Sequence, residues 1–229
     1  MKKDIILLTL LVSSTMLFSQ NTKLSFFAKK DKFEKKFLIG FAFNNSWTTF
    51  TDIENVPVFT KPSLGFHAKA EYWFVKSLGL TAGVGIQQRG AGILINDTNP
   101  DDPDMTYRTR FRTGNYSLPI QVLFRPNFYI FDQTKINIGL GIVPSYMYKA
   151  TSITHSVEDG FHTNIDNLAD YKKFDMPFRM SAGLDFNAAN SCILRLEFNY
   201  DIGRYDLYQQ NGTFSGKNKL IGIEVNCLF

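Results

Sequence analysis

Apolar and polar side chains alternate, residue by residue, along eight segments of this chain. Because successive side chains of a β-strand point to opposite faces, a period of two predicts strands, whereas a helix would need apolar residues three and four positions apart. The pattern therefore predicts an all-β chain. The eight predicted strands lie within residues 37–44, 64–74, 80–89, 115–125, 136–145, 174–186, 194–201 and 220–229.

The links between these strands alternate in length. Short turns at one end and long loops at the other are typical of an antiparallel up-and-down barrel that spans an outer membrane. No repeat or linker interrupts the strands, so we predict a single barrel domain. The short links lie near residues 76–78, 127–134 and 188–191, and the long ones at 48–62, 90–113, 150–172 and 203–216.

Alternation alone does not say which face points outward, because a soluble lipocalin-like barrel also has eight strands. The polar faces here repeatedly carry glycine, which weakens a solvated strand but makes room for large side chains in a narrow lumen. They also carry both signs of charge, as a closed interior requires. We therefore predict an eight-stranded antiparallel transmembrane β-barrel with a polar lumen filled by side chains and an aromatic-rich apolar face toward lipid.

The N-terminus has the pattern of an export signal. Lys2 and Lys3 precede a short apolar stretch, and small residues lead to Ser19. This pattern predicts a cleaved signal peptide at 1–19, a charged lead-in at 20–35 and the barrel at 36–229.

Composition narrows the class further. The 22 Phe and 10 Tyr among 229 residues exclude a disordered chain, and a net charge of +4 spread along the chain does not indicate nucleic-acid binding. The usual enzyme motifs are absent, so the sequence predicts no catalytic residue, no cofactor and no metal site. We expect a protein that is not an enzyme.

Three groups of residues could carry chemistry. His67, Lys69 and Glu71 share one polar face, which allows a proton relay but favours lumen ion pairs. The loop 96–104 holds four aspartates that could bind calcium, although it lacks the EF-hand pattern and fits an ordinary solvated loop. His155 and His162 lie in a long predicted loop, where a metal site or a catalytic histidine is the less favoured alternative to a polar loop.

Assumed strand registers give more specific expectations. Across the last loop we expect Cys192 opposite Cys227, as free thiols that face lipid, and Arg195 opposite Glu224 in the lumen. Across the short turn at 188–191 we expect Asp185 opposite Arg195 and Arg179 opposite Asp201. Arg195 would then lie between two carboxylates from neighbouring strands.

Four strands have distinctive sequences, and the signal ends in FSQ. The strands are LTAGVGIQQRGA (80–91), NYSLPIQVLFRPNF (115–128), INIGLGIVPSY (136–146) and FRMSAGLDF (178–186). With these features the chain resembles the outer-membrane β-barrel domain family of Bacteroidota that includes the PorT-like proteins. The resemblance covers about residues 36–229 and implies an outer-membrane location and lipid contact. It also implies that Phe229 matches the terminal aromatic residue read by the barrel-assembly machinery.

Three classes of function follow. The leading one is a non-enzymatic outer-membrane protein, a PorT-like structural barrel or a subunit that docks periplasmic or surface proteins. A small outer-membrane lipid-modifying enzyme is the alternative, favoured if His, Ser and Asp converge at the loop end. A soluble periplasmic ligand-binding barrel is the third and weakest.

Overall fold

Every regular element in the described part of the chain is a β-strand. The computed structural model contains no helix, in its described residues, that is long and apolar enough to cross a membrane. The predicted signal peptide and nearly all of the lead-in lie outside the described residues, so both stay predictions. The described residues are 35–51, 57–96, 106–126, 129–130, 134–156, 162–166, 171–188, 192–204 and 216–229.

The strands form one antiparallel sheet that closes on itself. The first and last long strands pair along twelve residues, which completes the ring. The strands are β1 (Phe37–Thr51), β2 (Val58–Phe59), β3 (Lys61–Val75), β4 (Leu78–Arg89), β5 (Gly92–Asn96), β6 (Thr106–Ser117), β7 (Ile120–Phe124), β8 (Thr134–Ile142), β9 (Ser145–Ser156), β10 (His162–Asp166), β11 (Phe174–Asp175), β12 (Phe178–Ala188), β13 (Cys192–Ile202) and β14 (Lys217–Leu228).

These strands make an eight-stranded barrel, as predicted, because several are pieces of one barrel strand. Prolines 119, 144 and 177 separate β6 from β7, β8 from β9 and β11 from β12. Proline cannot donate to the ladder, but its carbonyl still accepts. Gly83, Leu118 and Val143 donate backbone hydrogen bonds to these three carbonyls over 2.8–2.9 Å, so the ladder continues past each interruption.

The strands are strongly tilted. One circuit of ladder partners from Ile39 returns to β1 at Thr49, ten residues further along. Such a stagger in an eight-stranded barrel corresponds to a tilt of about 40°. The circuit runs Ile39, Ala70, Ala82, Ile120, Ile142, Phe178, Ile202, Lys219 and Thr49.

The two faces have the predicted orientation. Large apolar residues are exposed all around the outside, with Val84 at 63% and Phe198 at 51%, while the polar faces are buried in the lumen. Glycines on the lumen face leave room for large neighbours: the ring of Trp73 lies where a Cβ of Gly79 would be. The continuous exposed apolar band is the lipid-facing surface of a transmembrane barrel.

Parts of the predicted long loops are strands instead. The links predicted at 90–113 and 150–172 contain β5, most of β6, the end of β9 and β10. These pieces pair in the order β5, β6, β9, β10 and continue the sheet beyond the level where β1 ends. Their Thr, Ile and aromatic residues suit a sheet, but in β6 the exposed positions carry Arg108, Arg110 and Arg112, so the hydropathy pattern did not show a strand there. We call these four pieces the outer sheet.

Candidate functional site

The lumen holds a balanced set of buried charges. Six cations and six carboxylates are buried, so the described interior has no net formal charge. Charges taken out of water need partners, and here each sign can find the other. The cations are Lys69, Arg89, Arg125, Lys135, Arg179 and Arg195, and the carboxylates are Glu71, Asp175, Asp185, Glu197, Asp201 and Glu224.

Arg195 is the centre of the part of this network that lies nearer the short-turn end. Its Nε donates to Asp185 Oδ1 over 2.6 Å, and its Nη2 donates to Asp185 Oδ2 over 3.2 Å. The same guanidinium donates to both oxygens of Glu71, with Nη2 to Oε2 at 3.1 Å. Arg125 and Asn137 complete the shell of Asp185. The planar fork of arginine suits two bidentate contacts of this kind.

A second group lies further toward the long-loop end. Arg179 forms a bidentate pair with Asp201, at 2.6 and 2.8 Å. Lys69 pairs with Glu224, whose other oxygen is 3.8 Å from Arg179 Nη1. Glu197 lies 4.0 Å from Arg195 and so links the two groups.

One of the two assumed registers is correct. Asp185 pairs with Arg195 and Arg179 with Asp201, as predicted for the turn at 188–191. The register across the last loop is wrong by two residues, because Arg195 faces Asn226 and Glu197 faces Glu224. Glu224 therefore binds Lys69, and the second carboxylate on Arg195 is Glu71 from across the lumen.

The same shift moves the cysteines. Cys227 faces Leu194, so Cys192 is its diagonal neighbour and not its direct partner. No disulfide joins the two cysteines in this structure; both are half-buried on the outside of the barrel, and their Sγ atoms are 2.9 Å apart.

Apolar side chains close the lumen at the short-turn end. Leu38, Trp73, Leu123, Ile193 and Leu228 form a buried cluster. The guanidinium of Arg125 lies 3.8 Å from the centre of the Trp73 ring, between this cluster and Asp185. At the other end, Arg89 contacts Asp175 and Ser145. The side chains thus fill the barrel from one end to the other.

His67, Lys69 and Glu71 do not form a relay. Each contacts a different strand: Lys69 binds Glu224, Glu71 binds Arg195, and His67 Nε2 lies 2.7 Å from Ser117 Oγ. The ion-pair interpretation is confirmed for Lys69 and Glu71. Sequence reasoning missed Ser117, because fifty residues separate it from His67 and no motif connects them.

The loop candidates gain no support. Residues 97–104 of the acidic loop lie outside the described residues, so calcium binding there is untested. His155 and His162 are ladder partners on β9 and β10 and not members of a loop. Among the residues that the structure describes, no group of three or more His, Cys, Asp or Glu side chains could hold a metal ion.

Comparison with solved structures finds barrels of similar fold at low identity. Ail, the attachment invasion locus protein of Yersinia pestis, is 13% identical, with 85% of this chain and all of that chain covered and a TM-score of 0.40. Neisserial surface protein A is 9% identical, with 85% and 98% covered and a TM-score of 0.45. OprG from Pseudomonas aeruginosa is 9% identical, with 84% and 92% covered and a TM-score of 0.44.

Comparison with curated proteins gives no match. The sequence profile of the outer membrane protein beta-barrel domain matches residues 18–208, which is most of the chain. Strand β14 follows this range and closes the barrel against β1. With its lipid-facing apolar band and filled lumen, the chain belongs to the outer membrane protein beta-barrel domain family and is a protein of the outer membrane.

Proposed function

We propose that this barrel is a non-enzymatic structural or docking subunit of an outer-membrane assembly, of the PorT-like kind found in Bacteroidota. The observation that carries the proposal is the filled lumen. Six buried cations, six buried carboxylates and an apolar cluster occupy the space through which a solute would pass. Its outer surfaces are then the places where this protein can act.

Two surfaces outside the membrane can receive a protein partner. The outer sheet carries the exposed Asp166 at its β10 end, and the opposite end of the barrel exposes Tyr129 and Ile130 beside a short turn. Phe229 lies at this second end, where its backbone exchanges hydrogen bonds with Ile39. We propose Phe229 as the residue through which the barrel-assembly machinery recognises the chain.

One contact favours the enzyme alternative. His67 and Ser117 are within hydrogen-bond distance, as a nucleophile and its base would be. Nδ1 of His67, however, has no hydrogen-bond partner among the described residues, so no carboxylate orients the ring. Both side chains are buried in the filled lumen, where an acyl chain has no access. The pair therefore suits a packing role.

Site-specific photo-crosslinking in native outer membranes tests the docking function. A photoreactive amino acid at Asp166 or at Ile130 should give a discrete protein adduct, while the same group at the lipid-facing Leu140 should give none. Absence of an adduct at both test positions would refute docking. If cells that express the wild type show a change in lipid acylation, and cells that express Ser117→Ala do not, the enzyme alternative would be favoured.

A further inference from the structure

A row of arginines lies on the outward face of the outer sheet. Arg108, Arg110 and Arg112 alternate with inward residues along β6, and all three are exposed. Residues two apart on a strand are about 7 Å apart and share one face. The three arginine side chains therefore form a row along β6 that points away from the barrel axis.

The row continues directly from the lipid-facing surface. On the same face of β6, Arg112 is followed by Gly114 and then by Tyr116. Gly114 has no side chain, and the ring of Tyr148 from β9 covers it. The two tyrosine rings are 4.6 Å apart, and Leu118 follows below them in the apolar band. Apolar, then aromatic, then cationic residues on one face is the order found across a membrane boundary. By this order Arg112, the nearest of the three to the tyrosines, lies at the level of the lipid headgroups, and Arg110 and Arg108 follow it outward along the strand.

Among the described residues this face carries more positive than negative charge, and Asp166 on β10 is a carboxylate on the same side of the sheet, two strands away from Arg112. Arg112 donates to the neutral amide oxygen of Gln88 over 3.1 Å, and Arg108 lies over the ring of Phe59. The ion pairs found among the described residues all lie in the lumen and involve none of these three arginines. Lys149, exposed on β9 beside Gly114, adds a fourth positive charge.

We propose that Arg108, Arg110 and Arg112 bind the phosphate groups of anionic lipids in the outer leaflet. Arginine offers a planar fork that matches phosphate oxygens, and its direction here faces neighbouring lipids and not the solvent above the barrel. Arg110 has Gly92 and Ile153 as its cross-strand neighbours, and the ring of Phe59 lies over Gly92. Arg110 is exposed, and none of the ion pairs found among the described residues involves its guanidinium. The arginine row would hold a small number of phosphorylated lipids against this side of the barrel.

Lipid retention by the folded protein tests the proposal. The protein is reconstituted in phosphatidylcholine nanodiscs that contain either bisphosphorylated lipid A or its dephosphorylated form, and retained lipid is measured by native mass spectrometry. We expect the wild type to retain only the phosphorylated form. The triple variant R108Q/R110Q/R112Q should lose roughly a hundredfold in affinity, since each basic residue near an anionic surface contributes about fivefold.

The matched control is K35Q/K36Q/K76Q, which removes the same charge from exposed lysines at the opposite end and should bind as the wild type does. The single variant R110Q should lose about fivefold. Equal binding by the triple variant and the wild type would overturn the proposal, as would equal retention of dephosphorylated lipid. Displacement of the lipid by soluble inositol hexaphosphate at equal phosphate concentration would assign the row to soluble anions instead.

Discussion

At the scale of single residues, Arg195 holds two acidic side chains that would otherwise be stranded in the lumen. It forms bidentate contacts with Asp185 and Glu71, and all three are fully buried. Removal of one member of a buried ion network leaves uncompensated charge, which costs about 3–5 kcal/mol. We expect Arg195→Ala to lower the free energy of unfolding by this amount in urea titrations of barrel folded in lipid.

A variant that also neutralises one partner should recover much of this loss. R195M combined with E71Q removes one charge of each sign and keeps similar volumes, and Asp185 keeps its ion pair with Arg125, so the interior stays balanced. If this double variant is as unstable as Arg195→Ala, packing and not charge explains the effect.

The cysteine pair gives a second prediction at this scale. The Sγ atoms of Cys192 and Cys227 are already 2.9 Å apart on neighbouring strands. Diamide, which accepts the two thiol hydrogens and is itself reduced, should join them within one chain. Mass spectrometry should then show the loss of two hydrogens and no thiol left for alkylation. The variant C192S should give no bridge, and an unbridged wild type after oxidation would contradict the geometry.

The residue contacts show what a sequence can and cannot reveal. Arg179–Asp201 and Asp185–Arg195 were predictable because a three-residue turn leaves few registers for β12 and β13. The longer loop before β14 does not fix a register, and a shift of two residues keeps every side chain on its face while it changes each pair. Glu71 was unpredictable as a partner of Arg195, since the two meet across the lumen from strands 124 residues apart.

At the scale of elements, Gly90 allows β4 to bend into β5. Its φ of +145° is one that other residues rarely adopt, and a Cβ there would collide with the carbonyl oxygen of Phe111. The bend is fixed by Thr48, whose hydroxyl donates to the Gly90 carbonyl over 2.6 Å. We expect Gly90→Ala to destabilise the folded barrel by about 1–3 kcal/mol, measured by urea titration.

Gly83→Ala, inside β4, is the control. The nearest atoms to a Cβ at Gly83 are 3.1 Å away or more, and its φ is ordinary, so its cost should be smaller. Equal losses for the two variants would show that added volume in β4, and not the backbone conformation at Gly90, is responsible.

The elements inside the membrane were predictable because their two faces meet different surroundings, lipid and a packed lumen. The outer sheet was not, since both of its faces can meet polar surroundings and its strands lack strict alternation. The row of Arg108, Arg110 and Arg112 in β6 carries the period of two, but with charged residues where the hydropathy pattern expects apolar ones.

At the scale of the whole molecule, the lipid-facing band sets where a charge can be placed. Leu196 is exposed near the middle of β13, and Ile202 is exposed on the same face near the end of the strand. Leu196→Arg should cost about 2–4 kcal/mol or block insertion, and Ile202→Arg only about 0–1 kcal/mol. The folded fraction in outer membranes, from the gel mobility of unheated samples, measures both. Full folding of Leu196→Arg would contradict a transmembrane band at that height.

The distribution of buried charge also has a consequence for the order of assembly. Lys69 and Glu224 are 155 positions apart, and Glu71 and Arg195 are 124 apart, so the partners come from opposite ends of the chain. In a nascent barrel that still lacks β14, Lys69 has no Glu224 to pair with, and one edge of β1 has no neighbouring strand. Lys69 therefore gains its ion pair in the same event that closes the barrel, when β14 pairs with β1. We therefore expect a chain that lacks β14 to be less stable than the complete barrel, and removal of β14 from the complete barrel would separate Glu224 from both Lys69 and Arg179.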